Sequence, residues 1–401
     1  MTRLRPLLVI GTRPEAIKMA PVVAACRARA SEIEPLVCFT GQHHEMLRQV
    51  TDYFDIQPDF DLKLMSAGQS LGRLTARCLL ALEETIDAAQ PDCVIAQGDT
   101  TSVLAASMAA FYAHVPFVHV EAGLRTGDLD APWPEEFNRR VTSVTTTMHC
   151  APTSRAAENL RREGVPVERI RVTGNTVIDA LLVAADRERG RDAHWRARHA
   201  WLDGQDMVLI TAHRRENHGQ GLESIFEAVA ALAQRFANTS FVFPVHPNPH
   251  VQEAAGRLLA DIENVRLLPP LAYPEFVWLM DRSKVIVSDS GGVQEEAPSL
   301  RRPVVALRDT TERSEAVDVG AVTLVGCSAQ RIEETVSRLL TDPQAYAAMQ
   351  IDHSPFGDGH AAERIVGWML EERTALGNCA RASVAPVSTT HSNLAQVLSA
   401  T

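Results

Sequence analysis

The chain reads CVIAQGDTTSVLAASMAAFYA at residues 93–113, which is an apolar run, a Gly-Asp turn and an alanine-rich stretch with helical periodicity. A short, almost continuous apolar run is typical of a strand that is buried on both faces of a parallel sheet. A strand that leads through a tight turn into a helix begins a β-α-β unit. This stretch therefore predicts a parallel α/β fold.

The same alternation of apolar runs and amphipathic stretches occupies both halves of the chain. In the first half we predict strands near Leu7–Ile10, Leu36–Thr40, Cys93–Gln97, Pro116–Val120, Met148–Ala151 and Ile170–Thr173. In the second half we predict strands near Met207–Thr211, Phe241–Val245, Val265–Leu267, Val285–Ser288, Pro303–Ala306 and Thr323–Val325. Helical patterns separate the strands in each half, which favours two Rossmann-like α/β domains that face each other across a cleft.

The predicted boundaries follow from this pattern. Residues 1–175 form the first domain, 176–206 a helical crossing and 207–360 the second domain. An amphipathic stretch at 361–377 is expected to pack back on the first domain. Residues 378–401 are small and polar without periodicity, so we expect a mobile tail.

Composition excludes several classes of protein. The 401 residues carry 50 acidic and 39 basic side chains, for a net charge of −11, and no basic block. Nucleic-acid binding is therefore not expected, because it needs a concentrated basic face. No apolar run approaches the length of a membrane span, and no secretory signal is evident, so we predict a cytoplasmic protein without membrane contact. The seven dispersed cysteines suit reduced, buried thiols.

Acidic side chains follow the predicted strands of the first domain. Asp99 and Glu121 each lie just after an apolar run, and Glu135 begins a predicted helix. Each has an ordinary alternative, because Asp99 suits a helix cap and Glu135 complements a helix dipole. However, the carboxyl ends of parallel strands meet at one edge of a sheet. We therefore expect these carboxylates to converge near an anionic ligand, with raised pKa values that suit acid–base catalysis.

Cations and glycines occupy the corresponding turns of the second domain. His213 and Arg214 follow its first strand, and a Ser290-Gly291-Gly292 turn precedes a helix that contains Glu296. Exposed amides at a helix start bind phosphate, and arginine binds it with bidentate geometry. A charged surface loop remains the alternative for His213 and its neighbours. Taken together, these turns favour a nucleoside diphosphate bound mainly by the second domain.

Other cofactor and enzyme classes lack support. The first turn, Gly11 to Glu15, does not follow the dinucleotide glycine pattern, and the GxSxG and Walker patterns do not occur. The histidines at 43, 44, 246 and 250 match no zinc spacing. We therefore predict neither a cofactor nor a metal.

An ordered set of motifs carries a resemblance to a known family. The motifs are Gly11-Thr12-Arg13-Pro14-Glu15, Thr40-Gly41-Gln42-His43, Gln97-Gly98-Asp99-Thr100-Thr101, the run from His119 to Thr126, Pro134-Glu135-Glu136, Gly174-Asn175-Thr176, the run from His213 to Asn217, and the run from Asp289 to Glu296. Over about residues 7–370 the chain resembles the bacterial non-hydrolysing UDP-N-acetylglucosamine 2-epimerases. The resemblance implies the B-type glycosyltransferase fold and interconversion of UDP-N-acetylglucosamine and UDP-N-acetylmannosamine. It also implies expulsion of UDP to give 2-acetamidoglucal, followed by re-addition, and supply of a precursor for surface polysaccharide.

The resemblance also assigns roles to residues. The matching catalytic positions are Asp99, Glu121, Glu135 and His213. The matching substrate positions are Arg13, Lys18, Phe276, Ser290, Gly291, Gly292, Glu296 and Arg313. A second UDP-N-acetylglucosamine is implied as an activator, at Gln42, Arg77, Arg214 and His246, together with Glu135. Leu271 departs from the pattern, since some members have a Gln there that contacts the nucleotide. A homodimer is the family expectation.

Three alternatives remain open at this stage. A glycosyltransferase of the same fold would pass the sugar to an acceptor, for which the sequence offers no site. A 2-epimerase of UDP-2,3-diacetamido-glucuronate would need an extra cation near the sugar C6. A sugar-nucleotide sensor without activity would be expected to lack His213 or Asp99, and both are present.

Overall fold

The structure is a computed structural model that describes residues 3–41, 44–66, 68–374 and 376, without the side chains of residues 44–46 and 215. The predicted tail at 378–401 and the predicted effector residue Gln42 lie outside the described residues.

Two parallel sheets organise the described part of the chain. The first has the strand order β3-β2-β1-β4-β5-β6-β7 and the second the order β10-β9-β8-β11-β12-β13. The first sheet contains β1 (Pro6–Ile10), β2 (Leu36–Phe39), β3 (Phe60–Asp61), β4 (Cys93–Gln97), β5 (Phe117–Val120), β6 (Met148–Ala151) and β7 (Ile170–Val172). The second contains β8 (Asp206–Thr211), β9 (Thr239–Pro244), β10 (Val265–Leu268), β11 (Val285–Ser288), β12 (Val304–Ala306) and β13 (Val322–Leu324). The predicted α/β class is confirmed, and β3 is the strand that the prediction missed.

Helices cover both faces of each sheet. In the first half they are α1 (Arg13–Ala28), α2 (His44–Tyr53), α3 (Leu71–Ala89), α4 (Thr101–Tyr112), α5 (Glu135–Thr145), α6 (Ser154–Arg162), α7 (Thr176–Arg189) and α8 (Asp192–Arg198). In the second half they are α9 (Gln220–Arg235), α10 (Pro249–Leu259), α11 (Tyr273–Arg282), α12 (Gly291–Ser299), α13 (Ser314–Asp318), α14 (Ala329–Thr341), α15 (Pro343–Ala348) and α16 (Ala361–Glu371). No helix among the described residues has the length and apolar character that a membrane crossing requires.

The start of α1 shows how local sequence fixes the turn after β1. Thr12 accepts a hydrogen bond from the Glu15 amide, while the Glu15 carboxylate accepts from the Thr12 amide, which is a capping box. Pro14 lies in the first turn, where a missing amide hydrogen is tolerated. A Cβ on Gly11 would lie 2.5 Å from Ser102 Oγ, so α4 and this turn approach each other closely.

Helices α7 and α16 join the two halves. Ile365, Trp368 and Met369 of α16 are buried in the core on one face of the first sheet. Val177 and Ile178 of α7 pack instead with residues of the second sheet. Burial of each large apolar side chain contributes about 1.5–3 kcal/mol. The two sheets are therefore held in one arrangement, and we call them, with their helices, the first lobe and the second lobe.

Candidate active site between the lobes

A cavity of about 520 Å³ opens where the carboxyl ends of β1, β4 and β5 face the second lobe. Five predicted site residues line it, namely Arg13, Lys18, Asp99, Glu121 and Arg313. The first four belong to the first lobe, and Arg313 comes from the turn before α13. The structure therefore brings together predicted residues from both halves of the chain.

Glu121 is the most constrained carboxylate of this cavity. It directly follows β5 with a left-handed φ of +65°, an unusual backbone conformation for a residue with a side chain. Lys18 Nζ donates to its two carboxylate oxygens at 2.7 and 2.8 Å, and Gln97 Nε2 donates to Oε2. Asn175 Nδ2 donates to Oε1 at 2.9 Å. The Glu121 side chain is only 5% exposed, so these contacts replace its hydration.

The pKa of Glu121 differs from the sequence expectation. Burial alone would raise it, but the charge and the hydrogen bonds of Lys18 lower the pKa of this carboxyl below its ordinary value. Burial alone would lower the pKa of Lys18, because it disfavours the protonated amine. The negative charge and the hydrogen bonds of Glu121 favour the protonated amine, and on balance the pKa of Lys18 is raised. The prediction of a raised pKa is wrong for Glu121, because a buried ammonium group outweighs desolvation. Glu121 is therefore ionised at neutral pH.

Asp99 is an ion-pair partner and not a helix cap. Arg139 of α5 donates to Asp99 Oδ2 through Nε at 2.9 Å and through Nη2 at 2.8 Å. The cap of α4 is Thr100, whose side chain accepts from the Val103 amide. Asn138 Nδ2 also donates to the Asp99 carbonyl at 2.8 Å. The capping alternative for Asp99 is thus excluded, and α5 fixes its carboxylate at the cavity.

His119 holds the turn that carries Asp99. Its Nε2 lies 2.7 Å from the Gly98 carbonyl oxygen. Burial lowers the pKa of His119 to about 4, so the ring is neutral at physiological pH and Nε2 carries the proton that it donates. This residue begins one of the sequence motifs but was given no role from the sequence, because it lies inside a strand among apolar neighbours.

Glu135 is not among the residues that line the cavity. It is the first residue of α5 and is half-buried. Its neighbour Glu136 is fully buried and accepts from the amides of Thr126 and Gly127, each at 3.2 Å. It also pairs with Arg139 at 3.1 Å. Glu136 therefore stabilises the loop before α5, a role that the sequence analysis did not foresee.

His213 is fixed by Asp289 on the second lobe. Its Nδ1 lies 3.2 Å from Asp289 Oδ1, and its backbone amide donates to Oδ2 at 2.8 Å. The Arg214 amide donates to the same oxygen at 2.8 Å. Burial alone would raise the pKa of Asp289, but the hydrogen bonds and charge of His213 lower it. The His213 ring also stacks on His246, with centroids 5.5 Å apart.

Arg313 connects the cavity to a charged cluster on the second lobe. Its Nε donates to Glu295 Oε1 at 2.7 Å, and Nη1 donates to Glu312. Arg308 pairs with the same Glu312 at 2.6 Å. Despite burial, these arginines lower the pKa of Glu312 to about 2. Arg313 is thus held in place by carboxylates while it faces the first lobe.

The start of α12 has the features of a phosphate site. Ser290 precedes the helix without using its side chain as a cap, and two glycines follow it. A Cβ on Gly291 would lie 3.2 Å from the Arg313 guanidinium carbon, so the guanidinium packs closely against the backbone of this turn. Burial, and the neighbouring Glu295 carboxylate, raise the pKa of Glu296 to about 8.

The remaining predicted residues lie on different surfaces. Phe276 is half-buried on α11 against the core of the second lobe. Arg77 is exposed on α3, where it donates to Ser66 and Gln69. Nη2 of Arg214 lies 3.6 Å from Oε1 of Glu312. The contacts of Arg77 thus lie on the first lobe, whereas the predicted effector residues Arg214 and His246 belong to the second lobe.

Several contributors to the site were absent from the predicted set. Gln97, Arg139, Asn175, Asp289 and Glu295 each contact a predicted residue. Asp289 directly follows the apolar run of β11, the same signal that identified Glu121. Asn175 comes three residues after the end of β7. Arg139 carries no such signal, because it lies inside a helix.

Comparisons with known proteins agree with the resemblance. The family model described as UDP-N-acetylglucosamine 2-epimerase matches residues 24–370. The chain is 50% identical over 377 residues to UDP-N-acetylglucosamine 2-epimerase of Yersinia pestis, which covers 93% of this chain and 100% of that protein. It is 48% identical over 377 residues to the Escherichia coli enzyme of the same name, covering 93% of this chain and 100% of that enzyme. A solved structure of UDP-GlcNAc 2-epimerase from Neisseria meningitidis, bound to UDP-GlcNAc, matches with a TM-score of 0.86 and 46% identity, over 92% of this chain and 100% of that one.

Proposed function

Because this chain belongs to the UDP-N-acetylglucosamine 2-epimerase family, whose fold is of the B-type glycosyltransferase kind, we propose that it interconverts UDP-N-acetylglucosamine and UDP-N-acetylmannosamine. The reaction proceeds by elimination of UDP to 2-acetamidoglucal and re-addition, and it supplies a precursor for surface polysaccharide. The observation that carries this proposal is the cavity between the lobes, where Asp99, Glu121 and Lys18 face Arg313.

The first lobe would carry out the proton transfers at C2. The C2 proton of the sugar is not acidic, so a base must act while UDP leaves. Glu121, which Lys18 keeps ionised, and Asp99, which Arg139 holds at the cavity, are the two predicted catalytic carboxylates that line it and the candidates for the proton-accepting group. Glu135 stays a catalytic candidate on the helix that also carries Arg139.

The second lobe would hold the UDP that departs. The amides of Gly291 and Gly292 at the start of α12 would donate to the diphosphate, Arg313 would add positive charge, and His213 would add a hydrogen-bond donor. Glu296 would accept from ribose hydroxyls, and Phe276 would line the uracil site. Lys18 and Arg13 extend the cationic wall from the first lobe. Retention of UDP in this way prevents loss of the intermediate to hydrolysis.

The wider organisation is proposed on the same basis. We take residues 1–175 and 207–360 as the two domains, linked by 176–206, with 361–377 on the first domain.

Exposed apolar side chains on α3, α4 and α5 support a homodimer; they are Leu80, Phe111, Tyr112, Phe137 and Val144. Buried free thiols suit a cytoplasmic enzyme. A second UDP-N-acetylglucosamine would act as activator near Arg214 and His246, which neighbour His213.

Proton NMR of the sugar tests the function. The protein is incubated with UDP-N-acetylglucosamine in heavy water, and the expected product is UDP-N-acetylmannosamine with deuterium at C2. A glycosyltransferase would leave C2 protonated and would require an acceptor. Substrate that remains unlabelled and unconverted, with the protein folded and extra substrate added as activator, would contradict the proposal.

A further inference from the structure

Asn175 joins the two lobes through one side-chain amide. Its Nδ2 donates to Glu121 Oε1 at 2.9 Å and to Glu295 Oε2 at 3.0 Å. Its Oδ1 accepts from the Val177 amide at 3.1 Å and so caps α7. The residue is only 2% exposed, so water cannot take over these contacts. All of its side-chain hydrogen-bonding groups are therefore used.

The charges around Asn175 explain why a neutral donor occupies this position. Glu121 and Glu295 are like charges, and each already has a cation, Lys18 for the first and Arg313 for the second. A third carboxylate between them would repel both. An apolar side chain would remove one hydrogen-bond donor from each of the two buried carboxylates, which would cost free energy of folding. An amide can donate one hydrogen to each carboxylate while its oxygen caps the helix.

We propose that Asn175 is a positioning residue of the epimerase reaction, which ties the Glu121 carboxylate of the first lobe to Glu295, and through it to Arg313, of the second lobe. The proposal rests on the function proposed above. Asn175 does not line the cavity, so it acts through Glu121. It sets the position of a proton-transfer group relative to the lobe that holds UDP.

The proposal predicts an effect on turnover more than on binding. Without the amide, Lys18 and Gln97 still hold Glu121 within the first lobe, but its hydrogen-bonded link to the second lobe is lost. The groups proposed to bind UDP, which are those of the second lobe together with Arg13 and Lys18, keep their own contacts. We therefore expect kcat to fall by about 10- to 100-fold, the effect of losing hydrogen bonds to charged groups, while KM changes by less than about 3-fold.

Asn175→Ser tests this directly, because serine is an equally good helix cap but lacks the amide donor. Asn264→Ser is the matched control. Its Nδ2 donates to three backbone carbonyls of the second lobe, those of Ala233, Phe236 and Thr239, and to no carboxylate. The control should lower thermal stability and leave kcat of the folded protein unchanged. Unchanged kcat in Asn175→Ser, or an equal fall of kcat in both variants, would overturn the proposal.

The introduction of a negative charge at position 175 gives a second test, which does not depend on whether serine is tolerated there. Asn175→Asp keeps the cap but adds a third carboxylate, and it should lower kcat further than serine does. Adding Glu295→Gln removes one of the two carboxylates that the new charge faces and supplies an amide that can donate to it, so the double variant should lose less kcat than the two single substitutions predict together. Additive losses in the double variant would contradict the link.

The two proposals fail in different ways. Absence of deuterium incorporation by the wild-type protein contradicts the proposed function. The link itself is then tested without substrate, by thermal unfolding of Asn175→Ser, Glu295→Gln and the double variant. A coupling between the two substitutions supports the link, and strict additivity overturns it.

Discussion

The buried Lys18–Glu121 pair makes a quantitative prediction about stability. Lys18→Met keeps most of the length of the side chain but removes its charge, which leaves Glu121 in a place where its side chain is 5% exposed. Removal of one partner from a buried ion pair usually costs about 3–5 kcal/mol, because the other charge is left without compensation. We expect a loss of this size in the free energy of unfolding at neutral pH.

Lys284 provides the matched control. Its Nζ lies 2.7 Å from Asp206, the same distance as in the Lys18–Glu121 pair, but the two side chains are 29% and 55% exposed. Exposed ion pairs contribute about 1 kcal/mol or less, so Lys284→Met should cost little. Burial is thus the main difference between the two variants, and the comparison separates it from the loss of a lysine.

The sign of the pH dependence is also fixed. In the wild-type protein the pKa of Glu121 is lowered on folding, so its contribution to stability is present at neutral pH and is lost as the pH falls through the folded pKa. In Lys18→Met, burial without the cation raises the pKa of Glu121, so acid relieves its cost. The deficit of the variant should therefore shrink toward acid pH. Urea denaturation followed by tryptophan fluorescence measures it, and equal losses in both lysine variants, or a deficit that grows in acid, would refute this reasoning.

Three further predictions concern catalysis and the backbone. Asp99→Asn should abolish deuterium exchange at C2 while the protein stays folded, because Thr100 caps α4 and Glu136 still pairs with Arg139; full exchange activity would contradict a catalytic role. Asp289→Asn should lower kcat about 10-fold or more in steady-state assays, because it weakens the contact that orients His213, and an unchanged kcat would show that His213 needs no such orientation. Gly123→Ala should cost more than about 3 kcal/mol of unfolding free energy, since φ is +92° and the new Cβ would meet the Ala156 carbonyl oxygen at 2.2 Å. The control Gly127→Ala, with φ of +84° and open space, should cost about 1 kcal/mol, and comparable losses would contradict the steric explanation.

The sequence predicted the sheets well because the central strands of both sheets are buried along their whole length. Val285–Ser288 and Cys93–Gln97 are continuous apolar runs, and both match the observed strands. Strand β3, which has only two residues, was missed. Elements of that length are fixed by neighbours in space and leave little periodicity in the sequence.

The sequence predicted which acidic and basic residues form the site, but it did not predict the contacts between them. Glu121 and Asn175 are 54 positions apart, and Asn175 and Glu295 are 120 apart, so no local pattern links them. Glu136 is buried and Glu135 is only half-buried, and this difference depends on how α5 is rotated about its axis where it packs against α4. The expected rise in the pKa of Glu121 failed for the same reason, since Lys18 lies 103 positions away.

Cleavage of the bond between the sugar C1 and its phosphate oxygen is the most direct test of the whole account. UDP-N-acetylglucosamine labelled with ¹⁸O in that bridging position is incubated with the enzyme, and phosphorus NMR follows the label. If UDP departs and returns within the cleft, the label will spread from the bridging oxygen to the other oxygens of the β-phosphate while the sugar epimerises. Epimerisation with the label still wholly in the bridging position would contradict elimination and re-addition.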